Sequence, residues 1–165
     1  MAGLPDEIKA MAELSPVEDL LLAVLRRRLP GVRVASLIDA NQQFPLVLVR
    51  RDPSFGAWQG DTRFTDAARV SVHTFAEDPD GDEDAAILGE AARVALRDAW
   101  LAQEVIPGRG HITRCDLNSP PRRVADWATA TGPVQYAALP TGVWRYEAVY
   151  DIHIRKPRKR PYAIH

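Results

Sequence analysis

The chain lacks several features that mark common classes of protein. It has a single cysteine in 165 residues, Cys115, so it cannot form an intramolecular disulfide or a zinc site built from several cysteines. Neither charge sign is in excess, with 21 basic and 22 acidic side chains, which excludes a globally basic nucleic-acid-binding protein. No stretch approaches the roughly 18 apolar residues of a membrane helix, and the start lacks the apolar core of a secretory signal. We therefore expect a soluble protein that is made in the cytoplasm and has no membrane partner.

Residue spacings typical of catalytic or metal sites are also missing. None of the histidines lies on a predicted helix, where a second ligand four residues away would sit beside it, so each is predicted to lie on the surface or at a sheet edge. They are His73, His111, His153 and His165. His111 and Cys115 lie four residues apart on a predicted strand, about 13 Å, which is too far for proton transfer, so Cys115 is predicted to be a small core residue. The segment Asp80-Gly81-Asp82 lacks the ligand pattern of a calcium loop. We predict no enzymatic activity, no metal and no cofactor.

Two amphipathic helices are predicted after a short lead-in over residues 1–14. The first begins at Ser15-Pro16, a favourable N-cap and first helical position, and ends at Pro30-Gly31. The second begins near residues 82–84 and runs to about Val105, where Pro107-Gly108 is expected to close it. Small and aliphatic residues form its inner stripe, which lets the helix lie close to a sheet. These residues are Leu88, Ala91, Ala92, Ala95, Leu96 and Ala99.

Strands are predicted between and after the helices. Four of them cover residues 32–38, 44–51, 68–76 and 111–117. The last runs from Trp144 to Arg155, with Tyr150 and Ile152 in its apolar row, whereas residues 118–142, rich in proline and glycine, are expected to hold no long regular element. The order of elements predicts an α+β fold, a mostly antiparallel β-sheet with two helices packed on one face as a two-layer sandwich. A single domain is predicted over 15–156, followed by a basic tail over 157–165.

Several groups of residues are candidates for contacts with partners. An aromatic loop and the polar side of the last strand are predicted to form two different interface patches. The loop before the second helix is also a candidate, because six of its eight residues are acidic. The basic tail is predicted to be an extended arm that docks on another protein. The aromatic patch is Phe55, Trp58 and Phe64, and the strand patch is Arg145, Glu147, Asp151 and Arg155. The acidic loop is Glu77, Asp78, Asp80, Asp82, Glu83 and Asp84, and the tail cations are Lys156, Arg158, Lys159 and Arg160.

Five segments, taken in order, resemble the tail terminator (tail-completion) proteins of long, non-contractile-tailed bacteriophages. They cover most of residues 15–156, and their order and spacing make the resemblance more specific than any one of them. The segments are PVEDLLLAVL at 16–25, FPLVLVR at 44–50, FTDAARVSV at 64–72, DAAILGEAA at 84–92 and RYEAVYDIHIR at 145–155. The longer 118–142 segment and the basic tail depart from the family's pattern.

The resemblance implies a structural virion protein at the head–tail junction. Such proteins form a hexameric ring at the head-proximal end of the tail tube, stop its polymerisation and join it to the head connector. The implied partners are further copies of this chain, the tail tube protein and the head–tail connector or stopper protein, with DNA passing through the lumen without specific binding. The acidic loop or the strand patch is predicted to line that lumen, where negative charge repels DNA.

Two other interpretations stay open at this stage. The chain is also compatible with a head–tail adaptor or stopper protein of the neck, which commonly follows the twelvefold symmetry of the portal. The second alternative is a small nucleic-acid-binding module that uses the tail cations. Its binding to nucleic acid would depend steeply on the salt concentration. The balanced net charge argues against the nucleic-acid interpretation.

Overall fold

The computed structural model of the chain describes residues 3–11, 17–38, 43–52, 64–124 and 142–157. In chain order the elements are α1 Asp6–Met11, α2 Val17–Arg28, β1 Arg33–Ala35, β2 Leu46–Arg51, β3 Thr65–Glu77, α3 Gly81–Leu101, β4 His111–Arg123 and β5 Val143–Arg155. The strands form one sheet in the order β1-β2-β3-β5-β4. Strand β1 is parallel to β2, and all other neighbours are antiparallel. The predicted α+β fold with a mostly antiparallel sheet is confirmed.

Helices α2 and α3 cover the same face of the sheet and enclose the main apolar core with it. On β5 the even-numbered residues Ala148, Tyr150, Ile152 and Ile154 are buried in this core, as the strict alternation of the sequence predicts. The odd-numbered residues of β5 point to the other face. The continuous pairing of β3 with β5 along all thirteen residues of each strand fixes this register.

Small residues allow α3 to lie close to the sheet, as predicted. The hydroxyl of Thr74 on β3 donates a hydrogen bond of 2.8 Å to the carbonyl of Ala85 on α3. A Cβ atom at Gly89 would lie 3.1 Å from Pro121 on β4, tighter than ordinary van der Waals contact. A larger residue at either position would push the helix off the sheet, so Ala85 and Gly89 belong to the inner stripe although the sequence analysis left them out.

Helix α3 ends at Leu101, four residues before the predicted end. Gln103 adopts a left-handed backbone conformation with φ of 47°. Its N–H donates to the carbonyl of Trp100 at 2.9 Å, and the N–H of Glu104 donates to the carbonyl of Ala99 at 3.0 Å. These two bonds are those of a Schellman motif, which usually places glycine where this chain has Gln103.

Strand β4 is longer than predicted and corrects the expectation that residues 118–142 hold no long regular element. It continues to Arg123 across Pro120-Pro121, at the outer edge of the described sheet. The pairing of β4 with β5 shifts register between Ser119 and Arg122, so both prolines sit in a β-bulge, where a missing N–H costs no ladder bond. Strand β1, in contrast, covers only Arg33–Ala35 of the predicted 32–38.

Candidate interaction surfaces

The described residues do not assemble a metal site or an activated cysteine. No group of three or more His, Cys, Asp or Glu side chains among them could hold a metal ion. Cys115 on β4 is half-buried, and burial, with a smaller contribution from Asp116, raises the pKa of its thiol to about 11. At neutral pH the sulfur is therefore protonated, and a protonated thiol is a poor nucleophile.

The acidic loop, which includes the last residue of β3 and the first turn of α3, is fastened to β5. Trp144 Nε1 donates a hydrogen bond of 2.8 Å to Asp78 Oδ1, and the hydroxyl of Tyr146 donates one of 2.9 Å to Asp82 Oδ1. The N–H of Asp78 also donates to the carbonyl of Gly142 at 3.0 Å. Asp78 and Asp82 thus hold the loop in place. The other four acidic residues of the loop present exposed side chains: Glu77, Asp80, Glu83 and Asp84.

A cation from the edge of the sheet meets this loop. Arg123, near the end of β4, has Nε 3.3 Å from Asp82 Oδ1 and its guanidinium 5.6 Å from the ring centroid of Trp144. The guanidinium therefore combines an ion pair with a cation–π contact. Arg123 and the aromatic residues of β5 together fix the position of the acidic loop.

The sheet face opposite the helices carries charged side chains on β3 and β5. Arg69 Nε and Nη2 donate to the two carboxylate oxygens of Asp151 at 2.8 and 3.2 Å, a bidentate pair between directly opposed residues. A small apolar cluster lies at one end of this face, formed by Leu46, Leu48 and Phe75. This face therefore combines ion pairs with a short apolar stretch.

His73 corrects the expectation that each histidine lies at the surface or at a sheet edge. It stands on the central strand β3, between β2 and β5, and is only 6% exposed. Burial, and then the positive charges of Arg145 and Arg50, lower the pKa of His73 to about 3. Its Nδ1 lies 3.5 Å from a carboxylate oxygen of Glu147. Because the ring is neutral at physiological pH, this contact is not an ion pair.

The predicted strand patch shares one face of β5 but differs in exposure from residue to residue. Arg145 is only 4% exposed, Glu147 and Asp151 are half-buried, and Arg155 is exposed. Within one chain, Arg155 is therefore the member of the patch most accessible to a partner. Glu147 also lies 3.9 Å from the guanidinium of Arg122 on β4.

The aromatic patch and the tail are only partly described. Phe64 is half exposed just before β3, and its carbonyl accepts a hydrogen bond of 2.8 Å from the N–H of Lys156. Lys156 is itself buried, so it belongs to the end of the sheet more than to the tail. The predicted positions Phe55, Trp58, Arg158, Lys159 and Arg160 lie outside the described residues.

The outer edge of β4 is a surface that the sequence analysis missed. No described strand pairs with this edge, and it carries the exposed guanidiniums of Arg114, Arg122 and Arg123. At the opposite edge β1 is short, and Arg26 donates hydrogen bonds of 3.2 and 2.9 Å to the carbonyl of Val34. The register shifts and prolines of β4 are typical of edges that resist indiscriminate strand pairing.

A groove between the end of α2 and the middle of α3 was also missed. Its volume is about 500 Å³, and a depression of about 440 Å³ continues it towards Phe44 on the far side of Ile87. Ile87 was left out of the predicted inner stripe of α3, and a large apolar residue outside that stripe was the signal available in the sequence. The apolar lining of the groove is Leu29, Ile87, Ala91, Val94 and Ala95, and its charged rim is Arg28, Glu90 and Asp98.

Comparison with models of known protein families finds none that matches this chain. A search of curated proteins likewise gives no significant match. Among the helices that the structure describes, none combines the length and the apolar character needed to cross a lipid bilayer.

Proposed function

We propose that this chain is a structural protein of a long-tailed phage virion, a tail terminator that closes into a hexameric ring on the head-proximal end of the tail tube. In this role it stops polymerisation of the tail tube protein and joins the tube to the head–tail connector or stopper protein. It acts by contacts between proteins and performs no chemical reaction. Its place is the head–tail junction of the virion, and it assembles in the host cytoplasm.

The observation that carries this proposal is the position of the five resembling segments in the fold. Residues 16–25 overlap α2, and residues 84–92 lie within α3. Residues 44–50 overlap β2, residues 64–72 overlap β3, and residues 145–155 lie within β5. Each segment belongs to a different element of one helix-covered sheet, so the resemblance follows the order of the architecture and does not depend on one local motif.

A closed ring needs two unlike surfaces on each subunit. In a ring of six identical copies, each copy is rotated by about 60° from the last, and a head-to-tail contact joins different patches of neighbouring subunits. The acidic loop and the β4 edge differ in charge: Glu83 and Asp84 are exposed on the first, and Arg122 is exposed on the second, where Arg114 is paired with Asp116 at 2.6 Å. Opposite patches of this kind favour one orientation of a subunit against the next.

The acidic loop is also the proposed lining of the lumen. Fixed carboxylates on a channel wall repel the phosphate backbone, so DNA passes without being retained. Anchoring by Trp144 and Tyr146 keeps these charges at a defined place. A lumen that carries positive potential would contradict this part of the proposal.

Removing the gene from the phage that encodes it tests the proposed function. We expect lysates that contain full heads and unattached tail tubes longer than those of the wild type, because nothing stops tube growth. Expression of the intact chain in trans should restore tubes of normal length. A head–tail adaptor or stopper would instead leave unattached tubes of normal length, and a nucleic-acid-binding module would leave tail assembly unchanged. Either result would contradict the proposal.

A further inference from the structure

The N-terminal arm, Leu4 together with α1, leaves an apolar stripe without a cover. Ile8 and Met11 lie three residues apart on α1 and so share a face, and Leu4 lies one turn before Ile8. These side chains are 65% (Leu4), 49% (Ile8) and 74% (Met11) exposed. An aliphatic stripe of this kind on a short helix is typical of a segment that docks on another surface, because such a helix is marginal in water on its own.

The groove between α2 and α3 has the shape and chemistry to receive that arm. Ile87, Ala91 and Val94 follow one another along α3 at spacings of four and three residues and form an apolar row. From Ile87 to Ala95 the apolar lining extends about 12 Å along α3, whereas the six residues of α1 span about 9 Å, so the groove is long enough to hold the whole helix.

Charged side chains lie beside both apolar surfaces. The rim of the groove carries one cation, Arg28, and two carboxylates, Glu90 and Asp98, each of which is paired with an arginine of α3. On the arm, Lys9 pairs with Asp6 at 3.3 Å, and both side chains are exposed. Exposed pairs of this kind add little to stability, so those on the two surfaces can rearrange when the apolar side chains meet.

The reach of the chain favours a second copy as the source of the arm. Six Cα–Cα steps join Met11 to Val17 and cover at most about 22 Å. Helix α2 rises about 17 Å from Val17 to Arg28, and the groove lies at the far end of that helix. An arm that folded back on its own groove would need a nearly straight connection along α2, whereas the arm of a neighbouring copy is under no such restriction.

We propose that the N-terminal arm of one copy docks in the α2–α3 groove of a second copy. Each chain then offers one arm and one groove, so the contact is head-to-tail and extends from copy to copy until it closes. The contact goes beyond the proposed function and does not depend on it. If a ring forms through other surfaces, arm docking is refuted and the terminator role stands. If the arm docks but the chain has another role, the terminator role is refuted and arm docking stands.

Sedimentation analysis of the full chain tests the contact with one variant on each side. Ile8→Asp disables the arm and Ile87→Asp disables the groove, and both side chains are exposed, so each variant should fold. We expect the wild type to self-associate and each variant to bind itself at least tenfold more weakly. Leu101→Asp, at an exposed position of α3 outside the groove, should associate like the wild type.

Mixing the two variants gives the sharpest result. The Ile8→Asp chain keeps its groove and the Ile87→Asp chain keeps its arm, so an equimolar mixture should form a complex of two chains that grows no further. A wild type that stays monomeric, variants that associate as the wild type does, or a mixture that stays monomeric would each overturn the proposal.

Cross-linking checks the same contact without relying on self-association of the variants. In a Cys115→Ala background, a chain with Ile8→Cys and a chain with Val94→Cys should be joined by a short bismaleimide. Replacing Val94→Cys by Leu37→Cys, at an exposed site away from the groove, should abolish the product. With both cysteines in one dilute chain, a link within that chain would show that the arm occupies its own groove and would overturn the proposal. So would the absence of any product.

Discussion

The two faces of the sheet are built from the same strands but have different tasks. On β5, Ile152 and Ile154 face α2 and α3 in a dry apolar core, while Asp151 on the other face pairs with Arg69. Apolar burial dominates folding energetics, whereas exposed and half-exposed ion pairs add little. The helix-covered face therefore holds the fold together, whereas the opposite face offers contact sites only where its side chains are exposed, since Leu48, Phe75 and His73 on that face are buried.

The largest expected loss of stability comes from a substitution on the helix-covered face. Ile152→Ala removes methyl groups from a fully buried position, so we expect the free energy of unfolding to fall by about 2–5 kcal/mol. Val149→Ala, on the same strand but on the half-buried opposite face, should lower it by less than about 1 kcal/mol. Urea unfolding of both variants measures the difference. Equal losses of stability in the two variants would contradict the difference between the two faces.

The opposite face has one buried group whose protonation couples folding to pH. His73 has a pKa of about 3 in the folded chain, against 6.5 for an exposed histidine, so the unfolded state binds a proton more readily. The free energy of unfolding should therefore have its full value above pH 6.5 and decrease as the pH is lowered towards 3. Between pH 7 and pH 5 the expected loss is about 2 kcal/mol.

Unfolding experiments at both pH values check this expectation. The variant His73→Gln should lose most of the pH dependence between pH 7 and pH 5, and His153→Gln, at a half-buried position of the same face, should keep it. A wild type whose stability is unchanged at pH 5 would show that the His73 ring is accessible to water.

The smallest expected effect is an increase in the free energy of unfolding. Tyr150 lies in the helix-covered core, and its hydroxyl is buried with no hydrogen-bond partner among the described residues. Burial raises the pKa of this hydroxyl, so the group stays protonated. Tyr150→Phe removes an unsatisfied polar atom and should raise the free energy of unfolding by about 1 kcal/mol. Thermal unfolding measures it, and a clear loss of stability would show that the hydroxyl has a partner.

How much of the fold can be predicted from sequence depends on how local the signal is. The alternation of β5 and the helical spacing of α2 and α3 are local patterns, so the helix-covered face follows from them. The course of β4 across Pro120-Pro121 depends on its position at a sheet edge, which no local pattern contains. The left-handed residue that caps α3 is Gln103 and not the glycine that normally signals such a cap.

The candidate surfaces could be predicted less well, because the contacts that form them join residues far apart in the sequence. The acidic loop is visible as a run of carboxylates, but its fastening to Trp144 and Tyr146 joins residues more than sixty positions apart. The buried position of His73 depends on which strands flank β3. The α2–α3 groove arises from the packing of two helices separated by three strands in the sequence. Each of these features is set by tertiary packing and not by neighbouring residues.

The proposed terminator role is tested most directly by a symmetry-resolved electron microscopy reconstruction of virus particles that contain this chain, identified by a specific label. That role predicts six copies joined head-to-tail in a closed ring between the tail tube and the neck, with the acidic loops towards the channel. A twelvefold arrangement, an isolated copy, or a position elsewhere in the particle would contradict it.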